Sequence, residues 1–378
     1  MFTLLPILSI VRAKQAEVKM SVSEIKVQHH KSEEETANGK IKHDFVCFDV
    51  EGAEISNITS AKDLAKQMGE KVFPDLQQTL ENMTDESARA LCEKTIAWVN
   101  KKAVWHPELV EKCTHDLLEK MKNGETLKEI PLSYEQIYAD TSIAAILHDV
   151  GRLSEIDIAA GAVCMKRSGL NKNHSAISFD ILEHAEIKPE ILLAIRYHEF
   201  AGVAELQNDD LYKNLLPDNQ KIARFYTCIL QDMDKTANLT ERSIFGIKKC
   251  AEFFDPHYIQ DYGVTEEHFK NAVSGNYLNL KGGHLLDAMM RFVTWTYSIH
   301  FRETKEILAE VLTKFFGQMY AEAEREYENS AEKNPDKLAD TLEKIMKLEN
   351  YAIFERMKIS LDEKQKTDIG QRIKELRG

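Results

Sequence analysis

The feature that most restricts this chain is a run of helical-period apolar stripes between residues 105 and 245. In 107–122 the stripe is Val110, Leu117, Leu118 and Met121, and in 135–150 it is Ile143, Ile146, Leu147 and Val150. Pro189 stands where a helix begins, and Ile191, Ile195 and His198 follow at i, i+4 and i+7. In 219–236 Ile222, Tyr226, Ile229, Leu230 and Met233 repeat the pattern. Apolar residues spaced three and four apart line one side of a helix, and that side must be buried against another element. The connections are short, so the expected fold is mainly α, a compact bundle of antiparallel or orthogonal helices. With 16 Gly and 8 Pro in 378 residues, the chain lacks the tight turns of a sandwich or barrel.

The flanks are less regular. Phe2 to Val11 is apolar but too short to span a bilayer, and its basic residues follow the run instead of preceding it. It reads as an extension ahead of a start at Met20, the alternatives being an interfacial anchor or an export signal. Residues 20–43 are polar and read as a flexible arm. Phe45 to Val50 leaves room for one short strand or hairpin. Ser60 can cap a helix over 61–71, and Thr84 one over 85–101. Thr265 to Val273 reads as one short helix, and Leu285 to Phe316 as one or two long ones. Beyond Gln318 the chain is dense in Glu and Lys, which predicts exposed helices or a tail for a partner or a second copy. The expected divisions are an extension over 1–85, a central domain over 86–320 and a tail over 321–378.

Charge and cysteines narrow the function classes. Lys and Arg total 49 against 62 Asp and Glu, a net charge of −13. An acidic chain is a poor ligand for large nucleic acids, which are bound chiefly through phosphate neutralisation. No uncharged apolar run reaches the roughly 18 residues of a membrane span. The six cysteines contain no CxxC pair and read as reduced thiols of a cytoplasmic protein.

The chemistry concentrates in a few titratable residues on or beside the apolar stripes. Ile143 to Leu147 leads into His148-Asp149, followed by Gly151, which is placed to end the helix. A His-Asp pair alone says little, since His115-Asp116 is another. The pair gains weight from an ordered series: His115 lies 33 residues before His148, His174 lies 25 after Asp149, His198 lies 24 further on, and Asp234 follows 36 later. Burying so many such groups is costly unless they are paired or coordinate a cation. Imidazole and carboxylate together suit several transition metals without selecting one. His106, before Pro107, is the alternative to His115, although its 42-residue offset from His148 fits less well. His29, His30 and His43 lie in the polar arm, and His184, His257, His268, His284 and His300 lack a partner pattern.

The series His115, His148-Asp149, His174, His198, Asp234 resembles the HD-domain superfamily of metal-dependent phosphohydrolases. The segments LHDVGR, NHSAISFDIL, AIRYHE and LQDMDKTANL carry the resemblance over about 105–245. Residues 265–316 look like the C-terminal helices of a bacterial subgroup with an HDIGR-type doublet. The resemblance implies an HD-type helical bundle. It implies a divalent metal ion, one or two per chain, with Mn, Fe, Mg, Zn, Ni and Co undistinguished. His115, His148, Asp149 and Asp234 would bind the first metal and Asp149 would bridge to a second. His174 and His198 would complete that site or contact a phosphate. His148, Asp149 and Asp234 would carry catalysis, with Arg152 and Lys235 as candidate contacts for a substrate phosphate.

Departures limit the substrate class. After the fourth His the chain reads Tyr197-His198-Glu199-Phe200-Ala201-Gly202, without the double His and Gly-Tyr-Pro of the cyclic-dinucleotide phosphodiesterases. The Glu-Asp pair of the alarmone hydrolases and the His-Pro-Pro-like segment of the dNTP triphosphohydrolases are also absent. Ala237 stands where related sequences more often carry Asp. The expectation is hydrolysis of a phosphomonoester, phosphodiester or nucleotide by metal-activated water. The rivals are a diiron oxygenase of the same type and an inactive metal-binding regulatory or interaction module.

Overall fold

The computed structural model describes residues 26–36, 39–82, scattered positions between 84 and 93, 105–155, 157–159, 162–164, 173–199, 202–245, 262–275, 283–358 and 363–377. The fold is mainly α, as the stripes predict. The reading of residues 1–19 and most of the helix expected over 85–101 lie outside the described residues.

The arm expected to be flexible is instead largely a hairpin. Strands β1 (Lys26–Thr36) and β2 (Gly39–Asp49) pair antiparallel from Lys26↔Asp49 to Thr36↔Gly39. Two three-residue strands, β3 (Asp157–Ala159) and β4 (Ala162–Cys164), extend the sheet in the order β1-β2-β3-β4. Backbone ladders do not need apolar alternation, so a polar strand of this kind leaves a faint sequence signal.

Helix α1 (Ile58–Asn82) starts at a reciprocal cap. Asn57 Oδ1 accepts from the Ser60 N–H at 2.9 Å, and Ser60 Oγ accepts from the Asn57 N–H at 3.2 Å. The cap is therefore Asn57, three residues earlier than expected. Leu64, Met68 and Val72 of α1 are buried in the same core as the central helices, so this part of the extension belongs to the bundle.

The central helices are α2 (His106–Met121), α3 (Tyr134–Leu147), α4 (His174–Leu182), α5 (Pro189–Arg196) and α6 (Pro217–Phe245). Local chemistry fixes their starts. Pro107 and Pro189 lie in the first turns of α2 and α5, where a missing N–H costs nothing. Ser133 and Gln136 form a capping box on α3, and Asn173 caps α4 through the Ala176 N–H. Helix α3 is buried almost all round from Asp140 to Leu147, which makes it the centre of the bundle.

A second apolar core joins α7 (Glu266–Val273), α8 (Leu285–Thr294), α9 (Arg302–Asn329), α10 (Pro335–Glu349) and α11 (Glu363–Arg377). Helix α9 runs straight through the boundary expected at 320/321. Within the expected tail, Leu338, Leu342, Ile345 and Leu348 are buried against Phe315, Phe316 and Met319. The tail thus contributes buried residues to the second core. Helix α6 spans both cores, giving Ile222, Tyr226, Ile229 and Met233 to the first and Leu239 to the second. Among the described residues no helix is long and apolar enough to cross a membrane.

Candidate metal centre

Four helix ends and the middle of α6 converge on one buried point. His106 is the first residue of α2, His148 and Asp149 follow the end of α3, His174 opens α4, His198 follows α5, and Asp234 lies within α6. His106 and His148 are fully buried, and Asp149, His174 and His198 nearly so. Among the described residues two triplets of these groups could hold a metal ion: His106, His148 and Asp149, and Asp149, His174 and His198.

Asp149 is common to both, and its two oxygens face different ways. Oδ2 lies 3.6 Å from His148 Nε2 and 3.9 Å from His106 Nε2. Oδ1 lies 3.2 Å from His174 Nε2 and 3.9 Å from His198 Nε2. Asp234 joins the first group, with Oδ1 at 2.9 Å from His106 Nε2 and 3.7 Å from His148 Nε2. His174 Nε2 and His198 Nε2 are 3.1 Å apart in the second.

All four imidazoles present Nε2 to the centre and turn Nδ1 outward to an oxygen. His148 Nδ1 donates to the Ala145 carbonyl at 2.8 Å, and His198 Nδ1 to the Ile195 carbonyl at 2.7 Å. His174 Nδ1 lies 2.8 Å from Glu199 Oε1, and His106 Nδ1 lies 3.3 Å from Glu241 Oε2. At His148 and His198 the carbonyl keeps the proton on Nδ1 and leaves the Nε2 lone pair aimed inward, as a metal ligand requires, while at His174 and His106 the glutamate stands at ion-pair distance from Nδ1 without an aligned hydrogen bond. His148 Nε2 is buried without a hydrogen-bond partner. A buried nitrogen of that kind is costly unless something occupies the centre, and the donor set fits a cation.

Burial and Arg152 lower the His174 imidazole, but Asp149 and Glu199 outweigh them and hold it above its ordinary value. Burial alone would raise the Asp149 carboxyl, but Arg152, His148 and His174 around it hold it well below the usual carboxylate range. Burial opposes ionisation of Asp234 too, and His106 and His148 reverse that. Burial, with His148 and His174 beside it, pushes His198 down to about 4 and so keeps it neutral.

The turn after α3 is locked onto α4. Ser178 Oγ donates to the His148 carbonyl at 2.6 Å and accepts from the Gly151 N–H at 2.9 Å. Gly151 does not end the helix, which stops at Leu147; it lies in a tight 3₁₀ turn over Val150–Glu155. A Cβ at 151 would meet the His174 carbonyl oxygen at 2.3 Å, so glycine is required for close approach.

The sequence expectations are met unevenly. His148, Asp149, His174, His198 and Asp234 come together. His115 does not, and the assignment of the first imidazole is corrected to His106. The two histidines are nine residues apart on α2, two and a half turns, so they point in opposite directions. His115 Nε2 meets Ser142 Oγ at 2.7 Å and its Nδ1 meets Tyr138 Oη at 2.9 Å, both on α3.

Arg152 is at the centre, with Nε donating to Asp149 Oδ2 at 2.7 Å and a terminal nitrogen 3.0 Å from His174 Nε2. Lys235 is not: its ammonium donates to the carbonyl and hydroxyl of Ser298, at 3.0 and 2.9 Å. It ties α6 to the segment before α9, and the expected phosphate contact there is corrected. Ala237 is packed in the first core, and its neighbour Asn238 donates through Nδ2 to Asp234 Oδ1 at 2.7 Å.

Glu199 and Glu241 are absent from the sequence expectations. Glu241 was accessible to pattern reading, because 234, 238 and 241 follow i, i+4, i+7 along α6. An open groove of about 870 Å³ beside Arg196, Tyr197 and Asp209 contains none of the ligand groups. No family model, curated protein or solved structure matches this chain.

Proposed function

We propose that the protein is a metal-dependent phosphohydrolase of the HD type, acting on a phosphomonoester, phosphodiester or nucleotide. The observation that carries this reading is the set of four buried imidazoles, each with Nδ1 facing an oxygen and Nε2 facing inward, around a carboxylate whose two oxygens face two groups. His106, His148, Asp149 and Asp234 would hold one divalent ion, and Asp149, His174 and His198 a second. Bound there, such ions lower the pKa of a coordinated water and polarise a phosphoryl oxygen.

The protein's own groups suit the rest of the task. Asp234, Arg152 and Glu199 are the more exposed members, with side chains 21%, 20% and 33% accessible, so the centre opens on their side. Arg152 lies at that opening with a planar guanidinium suited to a phosphate. The buried walls behind it, from α3 and α5, exclude bulk water from the imidazole side. The ordered series His148-Asp149, His174, His198 and Asp234, with His106 ahead of it, supports the same reading.

The test joins metal analysis to a panel of nucleotides and phosphate esters. The wild type is expected to carry one or two divalent ions per chain and to release phosphate or a nucleotide. His148→Ala and Asp149→Ala are expected to remain folded and lose both metal and turnover; retained turnover in both would overturn the assignment. Iron-dependent oxygen consumption with an organic substrate, and no phosphate release, would replace hydrolysis by oxygenation at the same groups. Full metal content with no turnover of either kind would leave a binding module.

A further inference from the structure

We infer that Glu199 and Glu241, two carboxylates outside the ligand set, are paired positioning residues that each fix one imidazole in one half of the centre. The inference rests on the metal-binding part of the proposed function and not on the reaction catalysed.

The two halves are built alike. In the first, His148 is held by the Ala145 carbonyl and His106 faces Glu241. In the second, His198 is held by the Ile195 carbonyl and His174 faces Glu199. Each half therefore has one imidazole tied to backbone three residues earlier and one whose orientation depends on a glutamate from another segment. The carbonyl ties come automatically with the ends of α3 and α5. Asn173 is extended, so no carbonyl of α4 precedes His174 to receive its Nδ1–H, whereas Trp105 ahead of His106 is already helical. At both histidines the oxygen that faces Nδ1 belongs to a glutamate side chain.

The choice of glutamate has a chemical consequence. An ionised carboxylate only accepts, so it permits only the Nδ1–H tautomer and leaves Nε2 free to ligate. It also raises the electron density of the ring, which strengthens the ligand. A glutamine at the same place is neutral, and its amide can turn to offer N–H instead. Glu241 reaches His106 from α6, one helical stripe along from Asp234, and is itself 3% exposed. Glu199 is anchored in turn by Asn173, whose side-chain N–H₂ donates to Oε2. Asn173 also caps α4, so the start of that helix and the orientation of His174 are set together.

The experiment is a Co²⁺ titration of the full-length metal-free protein, followed by calorimetry and by the visible absorption of the bound ion. Wild type, Glu199→Gln, Glu241→Gln and the double variant are compared, with thermal unfolding of each metal-free form as the check on folding. Each single variant is expected to weaken Co²⁺ binding in its own half by about 10–100-fold and to change the absorption of that ion, while the metal-free melting temperature stays close to wild type. The double variant is expected to weaken both halves. Should Glu241→Gln unfold, Glu241→Asp withdraws the charge by one methylene and carries the same expectation. Wild-type affinity and spectrum in both single variants would overturn the inference while leaving the metal centre standing. A wild type that binds no Co²⁺, Mn²⁺, Fe²⁺ or Zn²⁺ would instead remove the metal reading, and the inference with it.

Discussion

His106 and His115 lie on one helix and serve opposite sides of it. His106 meets Asp234 at 2.9 Å on α6, whereas His115 meets Ser142 at 2.7 Å on α3. His106→Ala is expected to lose metal from the half of the centre that it shares with His148 and Asp234. His115→Ala is expected to keep full metal content. It should still lose about 1–2 kcal/mol of stability, because the buried Ser142 hydroxyl is left without its imidazole partner. Metal analysis and urea unfolding of both variants check this; equal metal loss in the two would put His115 back among the ligands.

Metal binding should be visible as stability. The centre is assembled from five separate segments, so an ion binds the folded chain far better than the unfolded one. At a free concentration about 100 times its dissociation constant, one ion is expected to add about 2.7 kcal/mol. Thermal unfolding with metal and then with excess chelator measures the difference. Asp149→Ala should abolish the shift, and an unchanged melting temperature on chelation of loaded wild type would count against the centre.

Gly151→Ala tests the lock between the turn after α3 and helix α4. The new methyl would meet the His174 carbonyl oxygen at 2.3 Å and the Ser178 nitrogen at 2.6 Å, both backbone atoms that have little room to retreat. Overpacking of this kind is expected to cost about 1–3 kcal/mol. Because the displaced strand of contacts runs through His148 and His174, Co²⁺ affinity should fall as well. Denaturant unfolding with a Co²⁺ titration reads both, and a variant with wild-type values in each would show that the turn has slack.

The buried thiols offer a check on the cores themselves. Burial, with Asp116 beside one and Asp232 beside the other, pushes Cys113 and Cys228 up to about 12 from an ordinary 9. At pH 8 neither has an appreciable thiolate fraction in the folded protein, so alkylation should be slow until the chain unfolds. The sign of the linkage follows. The unfolded thiols release protons near pH 9 while the folded ones hold theirs, so these groups favour unfolding as pH rises from 9 towards 12. Mass-spectrometric mapping of iodoacetamide labelling, native against denatured, decides it; equal rates at Cys113 or Cys228 would contradict the packing.

The sequence by itself determined the helical class and the existence of the main helices between 105 and 245, and its resemblance to the HD-type series anticipated the gathering of His148, Asp149, His174, His198 and Asp234. Local periodicity places each of them at a helix end or beside an apolar stripe, and the ordered series that resembles the HD-type pattern is what grouped them. The choice between His106 and His115 was not legible. Both belong to the same amphipathic helix, and only its packing against α3 and α6 decides which of its sides meets the centre. The same holds for Lys235, one position from Asp234 yet turned to Ser298, and for Glu199 and Glu241, whose role depends on a histidine from another segment. The charged tail hid its buried side because its outer charges dominate the composition. Periodicity reports which residues share a face; which face meets which neighbour is settled by long-range packing, and that is a property of the tertiary structure alone.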